Sequence, residues 1–122
     1  HMSDAKKILV DDDEEGIRSL FSRVLTTAGY EIVLAEDAQQ ALLVLREHQV
    51  DLVLLDLHMP GLVDGEDMLV YLRDQGEDVP IVVVSGWVDD EATILPPGAV
   101  EAVLKKPINI DRMIDTVQQL LN

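Results

Sequence analysis

Ile8-Leu9-Val10-Asp11-Asp12-Asp13 is the stretch on which the reading of this chain turns. Its apolar run is short and continuous, as expected of a strand buried on both faces of a parallel sheet. It then stops on carboxylates. The pattern recurs along the chain. Asp56 follows Leu52-Val53-Leu54-Leu55, Ser85 follows Ile81-Val82-Val83-Val84, and Lys106-Pro107 stands just past Val103-Leu104. In an open α/β sheet, ligands bind beyond the carboxyl ends of the strands, where the strand order reverses. Three carboxylates, a hydroxyl and an ammonium are therefore expected to converge on one pocket. That set suits a divalent cation together with a phosphoryl group.

Working outward, segments of helical period alternate with the strand-like runs. After a first strand over 7–11, Ile17, Leu20, Phe21, Val24 and Leu25 fall on one helical face, and Gly29 suits the position after that helix. A second strand is expected over 31–35. The next helix carries Ala38, Ala41, Leu42 and Leu45 and ends near His48, before a third strand over 52–56. Met59-Pro60-Gly61-Leu62-Val63-Asp64-Gly65 has the residues of a turn. A helix with Met68, Leu69 and Leu72 then stops near Gly76, ahead of a fourth strand over 81–84. Residues 89–95 have room for one or two helical turns, ended by Pro96-Pro97-Gly98. A fifth strand runs to Leu104. Asn109 is a good N-cap for a last helix with Ile110, Met113, Ile114, Val117, Leu120 and Leu121 on one face. Five such strand–helix units predict a doubly wound parallel α/β sheet with helices on both faces.

Composition narrows the function. The 122 residues fit one domain over 3–122, with His1-Met2 read as a tag remnant. The chain is 48% hydrophobic but only 3% aromatic, so its core must be largely aliphatic. With no cysteine it has no disulfide and no thiolate metal site. A formal net charge of −15 argues against direct nucleic-acid binding and against docking on anionic membranes. The apolar runs are too short to span a bilayer and no signal peptide is visible, so a cytoplasmic setting is expected.

Each candidate residue also has a plainer reading. Asp11, Asp12 and Asp13 would favour the N-terminus of the following helix as a solvated acidic run. Asp56 would serve as a loop cap, Ser85 as an ordinary strand end, and Lys106 as a solvated cation. Read together, they form a phosphoryl-transfer set. A carboxylate acts as nucleophile, a cation bridges it to the phosphoryl group, and a hydroxyl and an ammonium stabilise equatorial oxygens. Lys105 competes with Lys106 for the last role. His48 and His58 lack the spacing of a histidine metal site. Trp87, two residues past Ser85, is expected at the edge of the pocket.

The order Asp-Asp, Asp, Ser, Lys-Pro at strand ends closely resembles the receiver domain of two-component response regulators, of the chemotaxis-regulator type. The resemblance spans roughly 6–121. It is carried by Ile8-Leu9-Val10-Asp11-Asp12-Asp13-Glu14-Glu15-Gly16-Ile17-Arg18, Asp56-Leu57-His58-Met59-Pro60-Gly61, Ser85-Gly86 and Lys106-Pro107. It implies the flavodoxin-like strand order 2-1-3-4-5. It implies that Asp56 accepts a phosphoryl group from a phosphohistidine on a sensor histidine kinase or a histidine phosphotransfer protein. Asp13 and Asp56 would ligate Mg²⁺ directly with the main-chain carbonyl of His58, and Asp12 mainly through water. Ser85 and Lys106 would hold the phosphoryl oxygens, with a cis bond at Lys106-Pro107. The domain would catalyse only its own phosphorylation and dephosphorylation. Helix four (89–95), strand five and the last helix would pass the signal to a downstream protein or output domain. Departures from the family pattern are Asp11, where an apolar residue is usual, and Val103, where an aromatic is usual. The rival reading is a small Mg²⁺-dependent phosphohydrolase with an aspartyl nucleophile. Such enzymes of the haloacid-dehalogenase type need a second Asp two residues on, where this chain has His58.

Overall fold

The structure is a computed structural model that describes residues 5–57, 64–86, 95 and 98–122. Its strands are β1 (Lys7–Asp11), β2 (Glu31–Ala35), β3 (Leu52–Leu55), β4 (Ile81–Ser85) and β5 (Ala102–Lys105). Its helices are α1 (Glu15–Thr27), α2 (Ala38–Glu47), α3 (Gly65–Asp74) and α4 (Ile110–Leu121). The strands form one parallel sheet in the order β2-β1-β3-β4-β5. His58, Trp87 and all but Leu95 of the helical turns expected over 89–95 lie outside the described residues.

Continuous apolar strands follow from covering both faces of the sheet. Successive side chains of β1 point to opposite sides. Ile8 and Val10 pack with Phe21, Leu25, Met113 and Val117, the buried stripes of α1 and α4. Leu9 packs with Ala38, Ala41, Met68 and Leu69 from α2 and α3. β3 and β4 divide in the same way, with Leu52, Leu54, Val82 and Val84 on the first face and Val53, Leu55, Ile81 and Val83 on the second.

Local chemistry sets the ends of the helices. The side chains of Asp37, Asp64 and Asn109 accept from the backbone N–H of Gln40, Asp67 and Arg112 at 2.8, 2.9 and 3.0 Å. Gly29 and Gly76 follow α1 and α3 at φ 103 and 80, a left-handed conformation that glycine adopts without a Cβ penalty. β4 runs one residue further than the apolar pattern suggests, so Ser85 is itself a strand residue, paired with Lys105.

Gly65, the first residue of α3, positions the site. A Cβ there would sit on the Asp56 carbonyl oxygen and 2.8 Å from the Leu57 Cα. Only a glycine lets α3 start this close to the end of β3. Gly65→Ala should therefore destabilise the fold by about 1–3 kcal/mol in urea denaturation, as overpacking does. A gain of about 1 kcal/mol, which helix propensity alone would give, would contradict this close approach.

Candidate functional site

The sheet ladder brings the polar strand ends together. β1 pairs with β3 so that Asp11 stands opposite Leu55. One step further, the Asp56 N–H donates to the Asp11 carbonyl at 3.0 Å, and the Asp12 N–H donates to the Ala35 carbonyl at 3.1 Å. Asp12 and Asp56 are thereby fixed as neighbours just past their strands, at the point where the chain winds both ways from β1. Both are buried. A ligand oxygen from each of Asp12, Asp13 and Asp56 lies within 4.8 Å of the other two. Asp13 is the exposed member.

Lys106 enters from the far side. Its N–H donates to the Ser85 carbonyl at 3.3 Å, and the Lys106-Pro107 peptide bond is cis, as the resemblance implies. The ammonium lies 3.0 Å from Asp12 Oδ2, 3.3 Å from Asp56 Oδ2 and 3.5 Å from Glu14 Oε1. Lys105, the competing cation, is exposed on β5. Ser85 is buried at the end of β4, beside β3, which Asp56 directly follows. The donor set fits a hard divalent cation. It is all carboxylate, it is partly buried, and it already gathers a positive charge in the form of Lys106.

The charges set one another's proton affinities. Burial raises the Asp12 pKa, against the Glu14 N–H and Lys106, which favour the carboxylate. For Lys106, burial acts downward, but Asp12, Asp56 and Glu14 outweigh it and hold the ammonium above its usual range. A carboxylate raised beside a lysine held charged is no contradiction, since desolvation dominates at Asp12.

Two supports were not visible as such in the sequence. Arg18 donates to the Asp12 carbonyl at 2.7 Å and lies 3.6 Å from Glu36, so it ties the Asp12–Asp13 turn to α1 and to the β2–α2 connection. Glu14 donates its N–H to Asp12 Oδ1 at 2.9 Å and sends its carboxylate to Lys106. Arg18 has a weak sequence signal, a lone cation near the start of an amphipathic helix. Glu14 has none, because an acidic run does not mark which member meets a lysine 92 residues away in another loop.

Asp11 is set apart from the cluster. It follows Leu9 onto the α2–α3 face, fully buried, and neither carboxyl oxygen has a hydrogen-bond partner among the described residues. Burial, then the charges of Asp37, Asp12 and Asp56, push its pKa from 3.8 to about 9, with Arg18 opposing.

Comparison with known proteins places this geometry. Residues 8–118 match the sequence profile of the response regulator receiver domain. The polar-differentiation response regulator DivK of Brucella anthropi is 32% identical over 120 residues, covering 95% of this chain and 96% of DivK. The response regulator TrrA of Thermotoga maritima, solved in complex with Mg²⁺-BeF, is similar at a TM-score of 0.82 and 33% identity, covering 95% of this chain and 99% of that one. The chemotaxis protein CheY4 of Vibrio cholerae gives a TM-score of 0.85 at 28% identity, covering 96% and 99%.

The Asp11 carboxyl has a sign that can be checked. Below pH 3.8 the group is protonated both folded and unfolded. Between there and about pH 9 the folded chain keeps a proton that the unfolded chain releases, so stability falls as pH rises. In EDTA, Asp11→Val should be more stable than the parent by on the order of 2–4 kcal/mol at neutral pH. That gap should widen between pH 5 and 8 in urea titrations. Parallel pH profiles for the two proteins would refute a buried, unpaired Asp11.

Proposed function

The chain belongs to the response regulator receiver domain family, and from that premise we propose that Asp56 is its phosphoacceptor in a two-component phosphorelay. One observation carries the assignment. Asp56 is the buried carboxylate just past the central strand β3, with Asp12 beside it and the Lys106 ammonium at 3.3 Å. An Asp56 oxygen attacks the phosphorus of a phosphohistidine. The new P–O bond gives an acyl phosphate as the P–N bond breaks, and the imidazole leaves, taking its proton from solvent. Two anions must approach for this to happen, and Lys106 lowers their repulsion. The Ser85 hydroxyl, at the buried end of β4, donates to a phosphoryl oxygen. Hydrolysis reverses the modification when water attacks the same phosphorus.

Asp13 and Asp56 would hold Mg²⁺ directly, with the main-chain carbonyl of His58, and Asp12 mainly through water. When bound, the ion supplies charge neutralisation between carboxylate and phosphoryl oxygen. The Mg²⁺-BeF complex of TrrA supports this reading. The catalysis is confined to the domain's own phosphorylation and dephosphorylation. A sensor histidine kinase or histidine phosphotransfer protein is the donor. A hollow of about 540 Å³, lined by Ile17, Leu20, Phe21, Pro107 and Ile108 together with the charged Glu14 and Lys106, offers that partner a footing. A downstream protein or output domain reads the face that carries β5 and α4. There the sheet ends at β5, and Val103 and Leu120 are exposed. No helix among the described residues is long and apolar enough to cross a membrane, and a cytoplasmic setting accords with that.

Incubation with acetyl phosphate and Mg²⁺, followed by mass spectrometry of the trapped acyl phosphate, should place the modification on Asp56 and find none in Asp56→Asn. Modification elsewhere in the unaltered protein would overturn the assignment. Calorimetric titration should show Asp13→Asn losing several-fold more Mg²⁺ affinity than Asp11→Asn. The reverse order would mean that Asp11 and Asp12 form the acidic pair.

A further inference from the structure

The Lys106 ammonium stands among three carboxylates, and one of them is not part of the cation cluster. Asp12 and Asp56, at 3.0 and 3.3 Å, belong to the converging set. Glu14, at 3.5 Å, does not, and its side chain is 60% exposed at the mouth of the pocket. The Glu14 backbone is fixed. Its N–H donates to Asp12 Oδ1 and its carbonyl accepts from the Arg18 N–H at 3.1 Å. It occupies the N-cap position of α1 with an extended backbone, yet its side chain makes no capping bond. That leaves the carboxylate for Lys106.

Two positive charges contend for Asp12 and Asp56. A divalent cation held between them would repel an ammonium about 3 Å from the same oxygens. The conflict eases if the ammonium has an anionic partner that the cation does not use. We propose that Glu14 is a positioning residue that holds the Lys106 ammonium at the mouth of the pocket, drawn off the two carboxylates that the cation requires. The role rests on the reading of Asp12, Asp13 and Asp56 as the Mg²⁺ site. It leaves the Asp56 oxygen less covered and keeps the ammonium where phosphoryl oxygens arrive.

Calorimetric Mg²⁺ titration of the full chain tests this in a double-mutant cycle. Glu14→Gln keeps the shape and removes the charge. It should weaken Mg²⁺ binding about threefold, the scale of a partly exposed ion pair. In a Lys106→Met background, which removes the competing ammonium, the same change should shift affinity by less than about 1.5-fold, since Glu14 then acts only through its screened field. Glu14→Ala should behave like Glu14→Gln, and thermal melts of all variants check that the fold is kept. No effect of Glu14→Gln, or an equal effect with and without Lys106, would overturn the role of Glu14 while leaving the cation site standing. Failure of the parent to bind Mg²⁺, or Asp13→Asn binding as well as the parent, would overturn the site and the role of Glu14 with it.

Discussion

The backbone ladder between β1 and β3 is the constraint on which the rest depends. Its register sets Asp11 opposite Leu55 and carries one hydrogen bond further, from the Asp56 N–H to the Asp11 carbonyl. Side chains alternate along a strand, so a slip of one residue would send Asp56 to the other face. The ladder is held by burial on both sides. Leu52 and Leu54 answer to α1 and α4, while Val53 and Leu55 answer to α2 and α3. Gly65 then allows α3 to begin against the Asp56 carbonyl, which closes the site from behind.

Gathering carboxylates at one edge of a sheet concentrates like charge where water is scarce. Lys106 offsets part of that charge by reaching Asp12, Asp56 and Glu14 together. Arg18 contributes through a carbonyl, holding the turn that carries Asp12 and Asp13. Asp11 receives no such help and stays buried without a partner among the described residues. Its position costs stability without adding a ligand atom to the cluster. The unpaired Asp11, which keeps its proton, and the triply engaged Lys106, which keeps its charge, show the same physics with opposite outcomes: charge survives away from water only where it finds partners.

Much of this was legible in the residues themselves. Apolar runs of three or four residues, followed by Asp11, Asp56 and Ser85, marked buried parallel strands, because only a sheet covered on both faces reads as continuous hydrophobicity. Helical periods with Gly29, Gly76 and Asn109 at their ends marked the helices between them. The convergence of the strand ends followed from the architecture. Strand order came from the family resemblance and not from periodicity, which cannot say which strands are neighbours.

The sequence by itself determined the element types, the apolar faces and the polar groups placed at the sheet's carboxyl edge, since each of these is a local pattern. Only the tertiary structure decided how the charges share their partners. The resemblance set Asp11 apart from Asp12 and Asp13, but an acidic run by itself does not say which carboxylates face the pocket. Strand alternation turned Asp11 onto the apolar α2–α3 face, and the chain beyond β1 turned its two neighbours toward Asp56. Nor could the sequence join Glu14 to Lys106. Their ion pair forms because the β5–α4 connection passes the start of α1, and ion-pair energies depend on distance and burial that no one-dimensional pattern records.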